Sequence, residues 1–272
     1  MRSGTDVCVS RGVMIHPTAI VDKKAKLSEG VEVGPYSIIG PDVTIGALTK
    51  IGPHCVIEEY TRIGKNCHVH TGAVIGGVTQ DLKFKGDRSF VEIGDNNSIR
   101  EYVTINRSTT KDAATRIGNN NLIMAYTHIA HDCKIGNNVI IANAGTFAGH
   151  VTIEDNATLG GMVGIHQFVT VGALAIIGGC SKVVRHIPPY AMADGHPAKI
   201  YGLNVIGLKR AGISAETRKN LKHAFKILFG SGLSLPHALK KAEETLPQSK
   251  EIKYLINFLK TVKADTKRGV CR

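Results

Sequence analysis

The chain has 272 residues and a mass of 29.1 kDa, enough for one large domain and a small one. Hydrophobic residues make up 43%, but aromatic residues only 5%, and Trp is absent, which favours a core filled by Ile and Val. The six cysteines form no CxxC pair and no Cys–His metal spacing, so they indicate reduced thiols of a cytosolic protein. No apolar run approaches the length of a membrane span.

Residues 1–13 share none of the pattern that follows them, and they lack the apolar core of a secretory signal. Met14 stands directly after them. We predict an N-terminal extension without a structural role. Its origin is left open between an upstream start, a cloning remnant and a short organelle-targeting piece, and the sequence does not decide whether Met1 or Met14 is the native start.

Residues 14–198 are organised by a period of six. Every sixth residue from Ile15 to Val183 is aliphatic or aromatic apart from three positions, and the following residue is repeatedly Gly. The three exceptions are Asp81, Asp87 and Lys111. This period fits neither an amphipathic helix nor a long strand, and it is typical of a parallel β-helix. Three hexads close one triangular coil, so residues i and i+18 should lie about 4.8 Å apart in neighbouring strands. The ladder predicts roughly nine coils.

Two interruptions break the repeat, near residues 77–92 and near residues 106–116. Counted in eighteens, Ile75 and Lys111 share one register, so we expect both loops to leave the β-helix at the same corner. Loops that cluster at one edge of a rigid scaffold usually build a binding site.

Histidines gather in the same register. His131, Gly149 and Gln167 are spaced by 18 residues and should stack in successive coils, with His150 and His166 beside them. A neutral His is the natural general base for an alcohol or an amine near pH 7. The N–H of Gly149 can meet an oxyanion because no side chain blocks its approach. Together these residues predict acyl transfer.

Asp132 follows His131 and invites a His–Asp pair. Neighbouring residues of a strand, however, point to opposite faces. We therefore expect Asp132 to act across a coil or a subunit boundary rather than to bond His131 directly.

Residues 199–272 are predicted to form a separate helical domain. Ser214, Ser234 and Ser249 each precede apolar residues at helical spacing. The three apolar stripes are Leu221, Phe225 and Leu228; Leu239, Ala242 and Leu246; and Ile252, Leu255, Ile256 and Leu259. We expect a small bundle that covers the open end of the β-helix or packs against a neighbour.

The positive charge is confined almost entirely to this tail. Residues 199–272 carry 16 Lys and Arg against 5 Asp and Glu, whereas residues 1–198 carry 18 against 17, for a total of +12. A solvated helix face is the simplest interpretation, and an anionic membrane or an acidic protein partner are the alternatives. Nucleic acid is disfavoured because aromatic residues are few and no reading motif is present.

Six segments also carry a family resemblance. They are residues 80–83 (QDLK), 129–133 (IAHDC), 148–151 (AGHV), 160–168 (GGMVGIHQF), 178–181 (GGCS) and 207–210 (GLKR). Together they resemble the cytosolic UDP-N-acetylglucosamine O-acyltransferase family of lipid A biosynthesis, over about residues 14–272. The hexad ladder alone is shared by many acyltransferases, so these motifs narrow the resemblance.

The resemblance implies a mainly β protein, with a left-handed parallel β-helix followed by a small C-terminal α-helical domain, and a homotrimer with active sites between subunits. It implies transfer of an (R)-3-hydroxyacyl group from an acyl carrier protein to the 3-OH of UDP-N-acetylglucosamine, without a cofactor or metal. His131 would be the general base, assisted by Asp132, and the Gly149 N–H the oxyanion donor. The implied substrate-binding residues are Gln80, Asp81, Lys83, His128, His150, His166, Gln167, Asn204 and Arg210. Gly179 matches the position that limits acyl-chain length, and Gly there leaves room for a longer chain. Carrier proteins of this kind are acidic, which suits the basic tail as a docking region.

Two departures from the family pattern affect these assignments. Ile206 and Ala211 stand where relatives often carry Glu and a second Arg, which concerns the nucleotide contacts. Residues 195–197 (GHP) differ from the Gly-Asn-His of some members, which concerns the acyl tail.

Alternatives remain open. A zinc enzyme of the γ-carbonic-anhydrase type also uses a left-handed β-helix with His at subunit interfaces, and a catalytically silent scaffold is a third class. The N-acyltransferase that acts later in the same pathway usually carries an extra N-terminal uridine-binding domain, for which residues 1–14 leave no room. The acceptor group is a 3-hydroxyl or a 3-amino group, because His131 can serve either.

Overall fold

The computed structural model describes residues 12–264 and 268–272. Residues 14–183 form a parallel β-helix of 26 short strands. The first ten strands are β1 Met14–Ile15, β2 Ile20–Val21, β3 Lys26–Leu27, β4 Glu32–Val33, β5 Ile38–Ile39, β6 Thr44–Ile45, β7 Lys50–Ile51, β8 Val56–Ile57, β9 Thr61–Ile63 and β10 His68–Val69. The next eight are β11 Val74–Gly77, β12 Phe90–Ile93, β13 Ser98–Ile99, β14 Thr104–Asn106, β15 Ala114–Ile117, β16 Leu122–Ile123, β17 His128–Ile129 and β18 Lys134–Ile135. The last eight are β19 Ile140–Ile141, β20 Thr146–Phe147, β21 Thr152–Ile153, β22 Thr158–Leu159, β23 Gly164–Ile165, β24 Thr170–Val171, β25 Ile176–Ile177 and β26 Lys182–Val183.

Three parallel sheets form the faces of the prism. The first face begins β1-β4-β7, the second β2-β5-β8 and the third β3-β6-β9, and each continues with every third strand along the chain. Ile129, for example, pairs with Ile105 in the coil before and with Phe147 in the coil after. The period of six therefore predicted the coil correctly.

Each two-residue strand places one side chain outside and one inside. In β18, Lys134 is exposed and Ile135 is buried. The inward column of the second face is buried from Ile39 to Val183. Burying such a side chain stabilises the fold by about 1.5–3 kcal/mol. The ladder of one aliphatic residue per hexad is thus the hydrophobic core itself.

Both loops leave the corner between the second and third faces, which we call the loop corner (residues 130–132, 148–150 and 166–168). Loop 1 (residues 78–89) joins β11 to β12, and loop 2 (residues 107–113) joins β14 to β15.

The two loops share a corner as predicted, but the residue predicted to lie above Ile75 was wrong. Ile105, not Lys111, lies above Ile75, and Ile117 lies above Ile93. These pairs are 30 and 24 residues apart instead of 18, so the loops add 12 and 6 residues. The two insertions together equal one 18-residue coil, and for that reason the later repeats return to the original phase.

The chain leaves the β-helix through a hairpin, β27 Ala191–Gly195 and β28 Ala198–Leu203. Strand β27 extends the first face in parallel with β25, and β28 pairs with β27 antiparallel. The predicted boundary after residue 198 falls at the first residue of β28, so the hairpin spans the two predicted domains. The six-residue period ends before this hairpin and could not reveal it.

In the described part of the chain after the hairpin there are four helices, α1 Val205–Arg210, α2 Ala215–Gly230, α3 Leu235–Thr245 and α4 Lys250–Ala264. Ser214 caps α2 by accepting from the Thr217 N–H, and Ser249 accepts from the Ile252 N–H before α4. All residues of the three predicted apolar stripes are buried. Tyr254 of α4 donates a hydrogen bond to Glu154, which places α4 on the last coils.

The remaining sequence expectations concern membranes and the N-terminus. Within the described ranges, no helix combines the length and apolarity needed to cross a membrane. Val13 packs against the core. Residues 1–11 lie outside the described residues, so the prediction about the N-terminal extension stays a prediction.

Candidate active site

A cleft of about 970 Å³ lies at the loop corner, between the second face and loop 1. It brings together nine of the predicted site residues. These are Gln80, Asp81, Lys83, His128, His131, Gly149, His150, His166 and Gln167. The stack expected from the 18-residue spacing is present, since the His150 N–H donates to the His131 carbonyl and the Phe168 N–H donates to the Gly149 carbonyl.

His131 and Asp132 form a direct pair, which corrects the expectation that they would point apart. Nδ1 of His131 lies 2.8 Å from Oδ2 of Asp132, and only 8% of His131 is exposed. The strict alternation of a strand does not hold here, because both residues follow β17 at the corner. Asp132 has a φ of 60°, in the left-handed region, which turns the backbone and allows adjacent side chains to meet.

Loop 2 holds the Asp132 carboxylate. Ser108 donates its hydroxyl to Oδ1, while Thr109 donates its hydroxyl (2.6 Å) and its backbone N–H (3.1 Å) to Oδ2. Burial alone would raise the pKa of Asp132, but these hydrogen bonds and that of His131 outweigh it and lower the pKa to about 2. An ionised carboxylate only accepts, so Nδ1 of His131 carries the proton of this bond, and in the neutral imidazole Nε2 is the acceptor.

Gly149 lies against the ring of His131. A Cβ added at residue 149 would come within 2.3 Å of Cε1 and 2.5 Å of Nε2 of His131. Within the described part of the chain, the Gly149 N–H has no hydrogen-bond acceptor. A free donor therefore stands beside Nε2 of His131, and any larger residue at position 149 would have to displace the imidazole.

Two further histidines flank the pair. Nδ1 of His128 lies 2.7 Å from the Thr104 hydroxyl, and burial, followed by the nearby His131, lowers the pKa of His128. His150 meets the His131 ring edge-on at 5.2 Å and stacks on Phe168 at 4.7 Å. His128 is therefore neutral near pH 7 and suited to hydrogen bonding rather than to charge pairing.

Loop 1 supplies polar groups at one side of the cleft, and Arg268 near the C-terminus contacts the backbone of a residue that lines it. Oδ1 of Asp81 accepts a hydrogen bond from the Lys83 N–H at 2.9 Å, which forms a local turn. Lys83 is exposed and lines the cleft. Arg268 donates to the Gln167 carbonyl at 2.7 Å. The sequence had given no sign that the end of the chain returns to the cleft.

Four predicted residues do not line this cleft within one chain. Asp132 is one of them and contacts the cleft residue His131 directly. The other three lie elsewhere. Asn204 caps α1, since Oδ1 accepts from the Gly207 N–H at 3.0 Å and Nδ2 donates to the Leu174 carbonyl at 2.9 Å. Arg210 is exposed at the end of α1. Gly179 is exposed at the corner between the first and second faces, where an added Cβ would lie 3.3 Å from the Gly161 carbonyl oxygen.

The sequence reading missed the residues that support the pair. Ser108, Thr109 and Thr104 hold Asp132 and His128, and Phe168 supports His150. The available signal was the second interruption itself, because its Ser-Thr-Thr run carries hydroxyl donors beside the histidine register.

His131, Asp132 and His150 also offer three ligand atoms within 4.8 Å of one another, which is close enough for a metal ion. In this cluster, Nδ1 of His131 faces the Asp132 carboxylate. Geometry alone therefore does not separate a zinc centre from an acyl-transfer site.

Comparisons with known proteins do separate them. The bacterial transferase hexapeptide model matches residues 24–59, 42–77 and 114–145, and the model described as UDP N-acetylglucosamine O-acyltransferase, domain 2, matches residues 187–271. A curated acyl-(acyl-carrier-protein)–UDP-N-acetylglucosamine O-acyltransferase of Thermodesulfovibrio yellowstonii is 52% identical and aligns over 95% of this chain and 99% of its own length. The counterpart from Thiobacillus denitrificans is 49% identical over the same shares.

Solved structures agree. LpxA from Acinetobacter baumannii matches with a TM-score of 0.89 at 42% identity, over 95% of this chain and 100% of that chain. The UDP-N-acetylglucosamine acyltransferase of Arabidopsis matches with a TM-score of 0.78 at 35% identity, over 97% and 100%. The coils and the cleft thus define a hexapeptide-repeat acyltransferase with a left-handed β-helix. Within that class, the chain belongs to the acyl-(acyl-carrier-protein)–UDP-N-acetylglucosamine O-acyltransferase family.

Proposed function

We propose that the chain transfers an (R)-3-hydroxyacyl group from acyl carrier protein to the 3-OH of UDP-N-acetylglucosamine, with His131 as the general base. The single observation that carries the assignment of roles is the His131–Asp132 pair beside the free N–H of Gly149. Base and oxyanion donor are the two groups that acyl transfer to an alcohol needs.

The steps follow from the geometry. Nε2 of His131 takes the proton of the sugar 3-OH while that oxygen forms a bond to the thioester carbonyl carbon. Asp132 stabilises the resulting imidazolium, and the Gly149 N–H donates to the carbonyl oxygen as it becomes an oxyanion. The tetrahedral intermediate then collapses, the carbon–sulfur bond breaks, and the proton on Nε2 passes to the departing thiolate of the carrier. The enzyme returns to its starting protonation state without a cofactor.

The other cleft residues bind and orient the sugar nucleotide in this proposal. Asp81, Lys83 and Gln80 of loop 1 face one side of it, with His128, His150, His166 and Gln167 on the second face. Asn204 and Arg210 reach the nucleotide from a neighbouring subunit, which requires the homotrimer that the family resemblance implies. Their position outside the cleft of a single chain supports this arrangement.

Two further proposals concern the donor and the compartment. Gly179 borders the acyl tail, where the absence of a side chain leaves room for a longer chain. The described cysteines are free thiols, four of them buried, which supports a reducing cytosolic environment.

The experiment that tests the function is acyl transfer from a panel of (R)-3-hydroxyacyl carrier proteins to UDP-N-acetylglucosamine and its 3-amino analogue. We expect a 3-O-acylated product, with one preferred chain length, and unchanged activity after metal chelation. Activity with the 3-amino analogue alone would show that the acceptor is a 3-amino sugar nucleotide and would contradict the proposed 3-OH acceptor. Stoichiometric bound zinc with loss of activity on chelation would favour the zinc enzyme and contradict the proposal.

The basic helical tail predicts how the donor is recognised. Exposed lysines of α2 and α4, among them Lys222 and Lys253, should attract an acidic carrier protein through long-range electrostatics. We expect the Michaelis constant for the carrier-bound donor to rise on the order of tenfold between about 0.05 and 0.3 M salt. A neutral acyl-pantetheine donor is the control, because it lacks the carrier. If the Michaelis constants for both donors are independent of salt concentration, the basic tail does not attract the carrier protein electrostatically.

A further inference from the structure

Arg107, the first residue of loop 2, is a buried cation next to the active site. Only 6% of it is exposed, and its guanidinium pairs with Glu59 at 2.8 Å. Its Nε has no hydrogen-bond partner among the described residues. Its partner Glu59 is 38% exposed, and an ion pair with a solvated partner adds little to stability. Stability alone therefore gives no reason for an arginine here.

The guanidinium lies between two aromatic rings that belong to different parts of the site. It is 5.8 Å from the ring centre of Phe84 in loop 1 and 5.9 Å from that of Tyr60 on the β-helix. Tyr60 in turn meets Phe90 edge-on at 5.8 Å. With 7 Phe and 7 Tyr in the whole chain, three of these rings gather at this one cluster. Planar arginine suits such stacking, whereas the point charge of lysine does not.

The backbone on both sides of Arg107 ties loop 2 to loop 1. The Arg107 N–H donates to the Gly77 carbonyl at 3.0 Å, and Nδ2 of Asn106 donates to the Val78 carbonyl at 3.1 Å. At the other end of loop 1, the Ser89 hydroxyl donates to the Ser108 carbonyl at 2.5 Å. Loop 1 is thus held at its start, at Phe84 and at its end by three consecutive residues, Asn106 at the end of β14 and Arg107 and Ser108 at the start of loop 2.

The same stretch of loop 2 holds the catalytic pair. Ser108 and Thr109 follow Arg107 directly and donate to the Asp132 carboxylate, which in turn orients His131. Arg107 therefore stands between the loop that carries Asp81 and Lys83 and the hydroxyls that fix Asp132.

We propose that Arg107 is a positioning residue that couples the sugar-binding loop 1 to the Asp132–His131 pair. This inference rests on the proposed function for its kinetic consequence. Removal of the guanidinium should loosen Phe84 and loop 1 on one side and Ser108 and Thr109 on the other. Sugar binding and base orientation should then deteriorate together.

The test compares Arg107→Met with Arg62→Met. Arg62 is the matched control. It lies over Phe90, the outer ring of the same cluster (4.6 Å), and pairs with a glutamate (Glu92, 2.9 Å), but it is exposed and does not line the cleft. We expect Arg107→Met to remain folded, because Glu59 is 38% exposed and stays hydrated without its partner. Its kcat/KM for UDP-N-acetylglucosamine should fall about thirtyfold, with KM raised and kcat lowered. Arg62→Met should stay within about twofold of wild type.

Two additional readouts separate positioning from a general loss of structure. Arg107→Lys, which keeps the charge but not the planar stacking, should recover only part of the activity. Hydrogen exchange at the Thr109 amide, which donates to Asp132, should accelerate in Arg107→Met but not in Arg62→Met. This exchange needs no turnover, so it tests the coupling even when the proposed reaction fails. Equal behaviour of the two Met variants, or a lower kcat at unchanged KM that merely follows the folded fraction, would overturn the proposal.

Discussion

Replacing His131 by alanine is expected to lower kcat by about 10²–10⁴-fold, the range that a positioned general base contributes. The fold should survive, because Asp132 keeps its hydrogen bonds from Ser108 and Thr109 when the imidazole is removed. KM for UDP-N-acetylglucosamine should change much less than kcat, since the lost group acts mainly on the proton that moves in the transition state.

Steady-state acyl transfer at saturating donor measures this effect, with circular dichroism and the oligomeric state as checks on the fold. His54→Ala is a suitable control, because His54 stacks on Tyr36 at the corner between the first and second faces, outside the cleft. His54→Ala should retain wild-type kcat. A His131→Ala protein with wild-type kcat would mean that another group, such as His128 or His150, removes the proton.

The repeat explains why so much of the fold was predictable. One aliphatic residue per hexad fixes which side chain points inward, so the spacing of 18 alone assigns Ile129 and Phe147 to one column, where they pair. The same column carries His131 and Gly149 at its corner, and the spacing of 18 brought them together correctly. A long hydrophobic pattern with a fixed period leaves few alternative registers.

The predictions failed where the chain leaves that period. The alternation rule of a strand was applied to Asp132, but the left-handed φ at the corner cancels it. The count in eighteens predicts that Lys111 shares the register of Ile75, but it runs through an insertion, and Ile105 is the residue that pairs with Ile75. The hairpin that contains residue 198 carries no hexad signal. Loops and corners are set by local backbone geometry and tertiary contacts, which a periodic pattern does not encode.

Asn204 illustrates a different limit. The family motif implies a nucleotide contact, yet in one chain both ends of its side-chain amide are engaged by Gly207 and Leu174. These bonds fix the start of α1 and thereby the position of Arg210 at its end. Each end of the amide keeps one further hydrogen-bonding position, so Asn204 can hold α1 in place and also contact the nucleotide as proposed.

Gly149→Ala is expected to lower kcat by about 100-fold, although it adds a single methyl group. The new Cβ would lie 2.3 Å from Cε1 of His131, so the ring must move. A displacement of about 1 Å can cost two orders of magnitude in rate. Gly149 does not have a φ in the left-handed region, so alanine should fit the backbone there and keep its N–H. Gly230→Ala, at the end of α2 with open space around the added Cβ, is the control and should retain activity.

A double variant decides whether the loss comes from the base or from the oxyanion donor. In a His131→Ala background the methyl group at residue 149 no longer meets an imidazole, so Gly149→Ala should add little to the loss already caused by removing the base. A further large drop in the residual activity would instead show that the methyl group disturbs the N–H that faces the carbonyl oxygen. Full activity of Gly149→Ala alone would contradict the close approach of ring and backbone. The effects of the two substitutions should therefore not add, because the methyl group at residue 149 acts through its collision with the His131 ring, which is absent in the His131→Ala background.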